Sequence, residues 1–270
     1  EWTSPKVRAE QMHKLFLNND IDMLWALTGG SASNEILPYL DFDLIQKSNK
    51  SIIGYSDVTI LLNALYSQTK KISLLGPNLK TLITQKPWTQ QSINLLSYAL
   101  TSNKWKLQSF SSIYDTSIKY NIDHMGIKIL QSWKAEWVWV GWNLSSIVLY
   151  VDTPFFPSLK DKILIIEEAH EFSIGMIRRN LFRLRQAENF GELRGVIFWH
   201  INKKCYKDYD YTLNQTLKDV FGDLEIPIIT QIGHGHISPM QTLPIGGTYI
   251  IDTDVPIPIM EYQLTNDIYQ

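Results

Sequence analysis

The chain has 270 residues, of which 44% are hydrophobic and 19% are charged, and its formal net charge is −2. This composition is that of an ordinary globular protein with a sizeable core, and it excludes a largely disordered chain. The small net charge and the lack of any Lys/Arg run longer than two residues give no electrostatic reason to expect nucleic acid as a partner.

Cysteine usage and hydropathy bear on location and on metal binding. A single cysteine, Cys205, can form neither an internal disulfide nor a thiolate zinc site, so we interpret it as an incidental free thiol. The chain has no run of about 18 apolar residues, and its first five residues lack the pattern of a signal peptide. These features predict a cytoplasmic protein without membrane contact.

In the first 80 residues, short apolar runs alternate with helical segments. Ser4 and Pro5 are typical of a helix N-cap and of the first helical position, so we predict a helix over residues 6–17. The runs at 21–27, 51–54 and 72–75 predict buried strands, and the segments at 34–40 and 57–66 predict helices.

The alternation stops over residues 84–134, where Ser, Asn, Lys and Trp are frequent and apolar periodicity is poor, and we predict a junction between lobes there. It resumes with strands predicted at 163–166, 195–199 and 226–230 and helices at 173–187 and 211–220. Strands that alternate with helices predict an α/β protein with parallel sheets. We place an N-terminal lobe at residues 1–115 and a C-terminal lobe at 116–270.

The first candidate for chemistry is the glycine-rich turn at residues 28–34, between a predicted strand and a predicted helix. A strand-turn-helix corner can present a serine hydroxyl and direct backbone N–H groups at a developing oxyanion. A simple glycine turn with serines facing solvent is the alternative interpretation.

The second candidate is the pair Glu167 and Glu168, at the end of the predicted strand 163–166. Ends of strands in open α/β sheets are where sites are built. Adjacent residues of a strand point to opposite faces, so we expect at most one of these carboxylates to face a cleft. An acidic loop without a chemical role fits the pattern equally well.

The third candidate is the glycine-rich loop that contains His234 and His236. A His-x-His pair also suggests a metal site, which Glu167 and His170 could complete. Catalytic zinc sites usually show further histidine or carboxylate spacing, and none is evident, so we expect neither a metal nor another cofactor.

Taken in order, these segments resemble the LD-carboxypeptidase family of serine peptidases, which includes the microcin C immunity peptidases. The matching motifs cover most of the chain and stand here as Gly29-Gly30-Ser31-Ala32-Ser33, Ile36-Leu37-Pro38-Tyr39-Leu40-Asp41, Gly54-Tyr55-Ser56-Asp57-Val58-Thr59, Gly76-Pro77, Gly141-Trp142-Asn143-Leu144, Asp152-Thr153-Pro154-Phe155-Phe156-Pro157, Leu164-Ile165-Ile166-Glu167-Glu168, Gly235-His236 and Leu243-Pro244-Ile245-Gly246.

The resemblance implies a catalytic triad and selects one residue from each ambiguous pair. Ser33 rather than Ser31 would be the nucleophile, His236 the general base, and Glu167 the group that orients the imidazole. The backbone N–H groups implied for the oxyanion hole belong to Gly30 and Asn34. The substrate-binding residues implied are Gly29, Asp57, Trp142 and Asn143.

The implied fold has two α/β lobes with the active site between them, and the N-terminal, flavodoxin-like parallel lobe looks N-terminally short. The implied partners are a second copy in a homodimer and a small peptide-like substrate. That substrate is either a peptidyl or aminoacyl nucleotide of the microcin C type or a murein tetrapeptide.

The long stretch between Ser33 and Glu167, with its tryptophans, and Pro239-Met240 favour the nucleotide. A base could stack on one of these tryptophans, for which the candidates are Trp133, Trp137 and Trp139. Trp142 stands where the family has glycine and could fill part of the cleft, so a divergent member that only binds a ligand is the further alternative.

Overall fold

The computed structural model describes residues 3–84, 88–107, 110, 112–115, 120–123, 126–169, 173–199, 209–232, 234–255 and 259–263. The helices, in chain order, are α1 (Pro5–Leu17), α2 (Ser33–Ile36), α3 (Phe42–Lys47), α4 (Thr59–Thr69), α5 (Leu79–Thr84), α6 (Thr89–Thr101), α7 (Leu144–Ile147), α8 (Ile174–Arg185) and α9 (Tyr209–Phe221). Short 3-10 helices cover Leu37–Tyr39, Ser56–Val58 and Phe190–Glu192.

The strands are β1 (Met23–Trp25), β2 (Ser51–Gly54), β3 (Ser73–Leu75), β4 (Lys104–Lys106), β5 (Ser112–Asp115), β6 (Tyr120–Asp123), β7 (Lys128–Gln131), β8 (Lys134–Asn143), β9 (Ile163–Glu167), β10 (Gly195–Trp199), β11 (Ile228–Ile232), β12 (Ile237–Ser238), β13 (Leu243–Ile245), β14 (Thr248–Asp252) and β15 (Ile259–Gln263). They form three sheets within the described residues.

The smaller α/β sheet has the order β1-β2-β3-β13. Its first three strands are parallel, with Met23 opposite Ser51 and Ile53 opposite Leu74, as the alternation of strands and helices predicts. β13 comes from the C-terminal part of the chain and closes the sheet antiparallel to β3. This pairing brings the chain that follows His236 back to the N-terminal sheet.

The larger sheet has the order β4-β15-β14-β8-β9-β10-β11-β7. Its centre, from β8 to β11, is parallel, and the outer strands run antiparallel. Every residue of β9 is buried, which explains its continuous apolar sequence before Glu167. A third sheet has the order β12-β5-β6.

The predicted lobe boundary at residue 115 stays a prediction, and strand pairing crosses that position in both directions. β4, before it, pairs with β15 in the larger sheet, and β13, after it, pairs with β3 in the smaller one. A single cut in the chain therefore does not separate the two α/β sheets.

The stretch of residues 84–134, for which the sequence predicts irregular structure, contains α6, β4, β5, β6 and β7 among its described residues, and β8 begins at its end. Helix α6 buries Ser92, Leu95, Leu96 and Ala99. Because Ser92 occupies a buried position of this helix, where its hydroxyl accepts a hydrogen bond from the Met240 N–H at 3.1 Å, the apolar stripe is interrupted in the sequence. β8, which begins at the end of this stretch, carries charged residues in its first half, where Lys134 and Glu136 are exposed, whereas the described side chains of its second half, which pairs with β9, are buried.

Candidate active site

Ser56 lies at the corner where β2 ends and the chain turns into α4. Its φ is +64°, in the left-handed region that residues other than glycine rarely occupy. Every other residue from 51 to 60 is buried, whereas Ser56 is partly exposed. A residue other than glycine pays conformational free energy for this backbone geometry, which is therefore found mainly at functional sites. One example is the strand-to-helix turn that exposes a nucleophilic serine.

The glycine-rich turn lies directly against this corner. A Cβ built on Gly29 would lie 2.9 Å from the Ser56 Cβ, 3.0 Å from its Oγ and 3.8 Å from the Asp57 backbone nitrogen. Only a residue without a side chain allows this approach. The backbone of Gly29 therefore comes close to the Ser56 hydroxyl, as an oxyanion hole requires, and a Cβ on Gly30 would lie 3.4 Å from Asp57 Oδ2.

The Asp57 carboxylate holds this turn in place. Its Oδ2 accepts hydrogen bonds from the Ala32 N–H and the Ser33 N–H, each at 3.0 Å, and from the Ser33 hydroxyl at 2.7 Å. Asp57 is 5% exposed. The contacts described for its carboxylate thus go to the protein itself, and its predicted role in substrate binding stays a prediction.

Glu167 and His236 are hydrogen-bonded at the end of β9, with 2.7 Å between Glu167 Oε2 and His236 Nδ1. The other oxygen of Glu167 accepts from Asn143 Nδ2 at 2.8 Å. Burial alone would raise the pKa of Glu167, but the nearby His236 imidazole and the Asn143 amide outweigh burial, and the pKa lies below its ordinary value. Glu167 is therefore ionised at neutral pH and can orient and stabilise a protonated His236.

The orientation of Asn143 is fixed by its place at the start of α7. Its Oδ1 accepts from the Ser146 N–H at 3.1 Å, as an N-cap does, so its Nδ2 faces the carboxylates. The same Nδ2 lies 3.2 Å from Glu168 Oε1. Asn143 thus contacts both glutamates and is 4% exposed, and its predicted contact with substrate stays a prediction.

The side chains of Glu167 and Glu168 do not point apart, contrary to the expectation for adjacent residues of a strand, because both contact the Asn143 amide. Because β9 ends at Glu167, Glu168 follows the strand and its side chain turns toward the same amide. It is fully buried, and burial, reinforced by the negative charge of Glu167, raises its pKa to about 7. The two neighbouring buried carboxyl groups thus differ in protonation: Glu167 is ionised, whereas Glu168 is largely protonated in mildly acidic solution.

A cavity of about 500 Å³ opens in front of Ser56 and His236. The Tyr55 ring packs against the His236 ring edge-on, with centroids 5.1 Å apart, and the Tyr55 hydroxyl lies 2.9 Å from Thr81 Oγ1. The described residues that line the cavity are Thr28, Gly29, Gly30, Tyr55, Ser56, Asn78, Lys80, Thr81, Thr84 and His236.

The structure brings most of the predicted site residues to this cavity or directly behind it. Ser33 is an exception, because it is not among the described residues that line the cavity, and its hydroxyl donates to Asp57. Asn34 lies in the first turn of α2, and Trp142 lies in β8 beside Asn143, opposite Ile166. Their predicted roles stay predictions.

The metal alternative rested on His234, His236, Glu167 and His170, and His170 lies outside the described residues. Within the described part of the chain, no group of three or more His, Cys, Asp or Glu side chains is arranged to hold a metal ion. His234 is 1% exposed, and burial lowers its pKa to about 4, so it is neutral at physiological pH.

Comparison with known families places the chain in the class that this site suggests. Residues 2–76 match the LD-carboxypeptidase N-terminal domain, and residues 138–251 match the LD-carboxypeptidase C-terminal domain. The chain therefore belongs to the LD-carboxypeptidase family of serine-type peptidases, and its fold is the two-domain fold of that family.

Within this family, the chain is similar to proteins of both branches. It is 30% identical over 279 residues to the microcin C7 self-immunity protein MccF of Escherichia coli, covering 92% of this chain and 76% of that protein. It is 23% identical over 250 residues to the murein tetrapeptide carboxypeptidase of Pseudomonas aeruginosa, covering 91% and 77%.

Solved structures show the same similarity. The MccF-like protein of Bacillus anthracis str. Ames superimposes with a TM-score of 0.89 at 27% identity, covering 97% of this chain and 82% of that one. MccF in complex with glutamyl sulfamoyl guanosine superimposes with a TM-score of 0.84 at 25% identity and the same coverage.

Among the described residues of the present chain, no helix has the length and apolar character needed to cross a membrane.

The contact between Gly29 and Ser56 predicts a large effect of one methyl group. In Gly29→Ala, the new Cβ cannot remain 2.9 Å from the Ser56 Cβ, so the turn must shift away from the hydroxyl. We expect kcat to fall about 100-fold, since a displacement of about 1 Å in a catalytic site has that effect. Gly191→Ala is the matched control, because a Cβ there meets nothing within 4 Å. Equal kcat values for both variants would contradict the close approach.

The raised pKa of Glu168 predicts a pH-dependent stability. Between about pH 4.5 and 7 the unfolded chain ionises at this position while the folded protein keeps its proton, so the free energy of unfolding falls as pH rises. We expect a decrease on the order of 3 kcal/mol from this group, complete slightly above pH 7. In denaturant unfolding from pH 4.5 to 8, the free energy of unfolding of the native protein minus that of Glu168→Gln should show this decrease. The subtraction removes the opposite contribution of buried His234, whose pKa is lowered from 6.5 to about 4 and which both proteins contain. The exposed Glu188→Gln variant serves as control, and parallel curves for Glu168→Gln and the native protein would contradict the prediction.

Proposed function

We propose that this serine peptidase uses Ser56 as its nucleophile, His236 as its general base and Glu167 as the residue that orients His236. The observation that carries the proposal is the position of Ser56. It stands in a left-handed conformation at a strand-to-helix corner, on the same cavity as a histidine whose Nδ1 is paired with a buried carboxylate. This is the arrangement of roles, rather than of chain order, that defines a serine triad.

In the proposed reaction, Ser56 Oγ attacks the carbonyl carbon of an amide while His236 Nε2 accepts the hydroxyl proton. The negative charge that develops on the carbonyl oxygen is stabilised by the backbone N–H groups of Asp57 and Gly30, because the residue after the nucleophile and a neighbouring loop commonly supply these donors. His236 then gives the proton to the leaving amine. Water, activated by the same imidazole, hydrolyses the ester on Ser56 and restores the hydroxyl.

The alternative nucleophile, Ser33, stays a prediction that the described contacts favour less. Its N–H and its hydroxyl both donate to Asp57, which gives it a role in holding the glycine turn. Ser56, in contrast, shares the cavity with His236. The resemblance to the family implies Ser33, and Ser56 stands in a second motif that matches the family, Gly54-Tyr55-Ser56-Asp57-Val58-Thr59.

The substrate we propose is a peptidyl or aminoacyl nucleotide of the microcin C type. Its support is the similarity to the MccF proteins, one of which was solved with glutamyl sulfamoyl guanosine. Of the tryptophans considered for stacking, Trp139 is excluded, because it is fully buried and its Nε1 donates to the Pro244 carbonyl. Trp133 and Trp137 are 48% and 41% exposed, although neither is among the described residues that line the cavity.

We expect kcat/KM for an aminoacyl sulfamoyl nucleotide or peptidyl nucleotide to exceed that for a murein tetrapeptide by at least about tenfold. The expectation rests on the similarity to MccF, which was solved with glutamyl sulfamoyl guanosine, and a factor of ten corresponds to about 1.4 kcal/mol. Mass-spectrometric detection of the released product from each substrate measures both values. Equal values, or a preference for the tetrapeptide, would support the second candidate, a murein LD-carboxypeptidase, to whose family branch this chain is also similar.

The catalytic proposal itself is tested by hydrolysis in the presence and absence of a serine-directed phosphonate. We expect inactivation with one equivalent of phosphonate and full activity after prolonged chelation. Recovery of activity only on addition of zinc would contradict the serine mechanism. An enzyme that binds substrate but cleaves no amide would support the ligand-binding alternative.

The homodimer and the cytoplasmic location stay predictions, and light scattering of the purified protein measures the former.

A further inference from the structure

Lys80 is the one lysine among the described residues that line the cavity in front of Ser56 and His236. Lys80 is the second residue of α5, and its backbone N–H donates to the Leu27 carbonyl at 3.0 Å. This bond fixes the start of α5 to the segment that leads into Gly29. The Lys80 backbone is therefore held at a defined place on the cavity wall, while its side chain is exposed.

The charge of Lys80 is not balanced by a described neighbour. None of the described carboxylates forms an ion pair with it, and neither Asp nor Glu is among the described residues that line the cavity. Glu167, the ionised carboxylate of the site, is buried and paired with His236. Ion pairs with described residues are formed by other lysines of this chain, namely Lys104, Lys106, Lys134 and Lys160.

An unpaired cation on a cavity wall attracts negatively charged ligands and orients the part of the ligand that carries the charge. The other described lining side chains are uncharged hydroxyl, amide and aromatic groups, apart from His236, which is neutral when it acts as base. Lys80 is thus the residue of this wall that can distinguish an anionic substrate from a neutral one.

We propose that Lys80 binds an anionic group of the substrate, a carboxylate or a phosphoryl-type group, and so selects acidic substrates for this site. The inference rests on the proposed function only in that it takes this cavity as the substrate site. The chemistry shared by both candidate substrates is an acidic group: the terminal carboxylate of a peptide and the acidic linkage of a nucleotide conjugate.

Binding to the Ser56→Ala variant tests the inference without relying on turnover. The ligands are two matched pairs: a tetrapeptide with a free terminal carboxylate and its carboxamide, and a peptidyl nucleotide and its analogue with an uncharged linkage. We expect the anionic member of at least one pair to bind about tenfold more tightly, which is about 1.4 kcal/mol, and to lose this advantage when Lys80→Met is added. The pair that shows the effect identifies the source of the anion.

Matched variants separate anion binding from a structural role. Lys80→Arg should keep most of the preference, and Lys6→Met, on the exposed face of α1, should leave it unchanged. The preference should shrink as salt concentration rises, because the lysine is exposed to solvent. An equal loss of affinity for the anionic and the neutral member of each pair, or no loss in Lys80→Met, would overturn the inference. Failure of the serine mechanism would appear separately, as absence of phosphonate labelling, and would leave this binding comparison interpretable.

Discussion

Replacement of Ser56 by alanine is expected to lower kcat by about 10⁴- to 10⁶-fold, the usual effect of removing a triad serine. The reason is that the Ser56 oxygen is the atom that bonds covalently to the acyl group of the substrate. No neighbouring group can take over this role. The fold should survive, because alanine deletes a single oxygen at a partly exposed position. Circular dichroism and thermal unfolding of the variant check that it is folded, and a sensitive assay of amide hydrolysis measures the residual rate.

Ser33→Ala is the matched control for this experiment. It removes one of three hydrogen bonds to Asp57 Oδ2 and leaves the two backbone donors in place. We expect a loss of stability of about 1 kcal/mol and less than about a tenfold change in kcat. A Ser33→Ala variant without activity, beside an active Ser56→Ala variant, would return the nucleophile to Ser33.

His236→Ala is expected to have an effect as large as that of Ser56→Ala, about 10⁴- to 10⁶-fold in kcat. Removing the imidazole leaves the serine hydroxyl without a base and deprives the buried Glu167 carboxylate of its hydrogen bond to His236 Nδ1. Because the serine and the histidine act as one unit, the double variant Ser56→Ala/His236→Ala should be little worse than either single variant. Multiplicative losses in the double variant would show that the two residues act independently, contrary to the proposal.

His234→Ala is the control for the histidine. The ring is buried and neutral, so its removal leaves a cavity and lowers the free energy of unfolding by about 1–3 kcal/mol. We expect kcat to change less than about tenfold when it is measured well below the melting temperature. A loss comparable to that of His236→Ala would place the base at His234 instead.

Local sequence patterns predict much of the fold and part of the site. Ser4 and Pro5 mark the start of α1, the run at 51–54 is β2 as predicted, and the apolar run before Glu167 is a buried central strand. Each of these signals is local, because a helix cap, a short strand and a fully buried strand are each encoded by residues that are adjacent in the sequence. The choice of His236 over His234 rests on the family motif and stays a prediction, and His236 is the histidine whose Nδ1 lies 2.7 Å from Glu167 Oε2.

The position of the candidate nucleophile shows what the sequence does not reveal. Gly54-Tyr55-Ser56-Asp57 stood out as a motif, and it follows a predicted strand and precedes a predicted helix, just as the glycine turn does. What distinguishes the two serines is the left-handed φ of Ser56 and its place on the cavity of His236. Both depend on how β2, α4 and the histidine loop pack, and the antiparallel pairing of β13 with β3 that brings this loop back is a contact between distant parts of the chain.

Covalent labelling with a fluorophosphonate, followed by proteolysis and mass spectrometry, tests the central claim most directly. The adduct forms only on a serine whose hydroxyl is activated, so its position identifies the nucleophile without a substrate being known. We predict a single adduct on the peptide that contains Ser56, which is lost in His236→Ala. An adduct on Ser33, or no adduct on a folded protein that hydrolyses an amide, would contradict the proposed site.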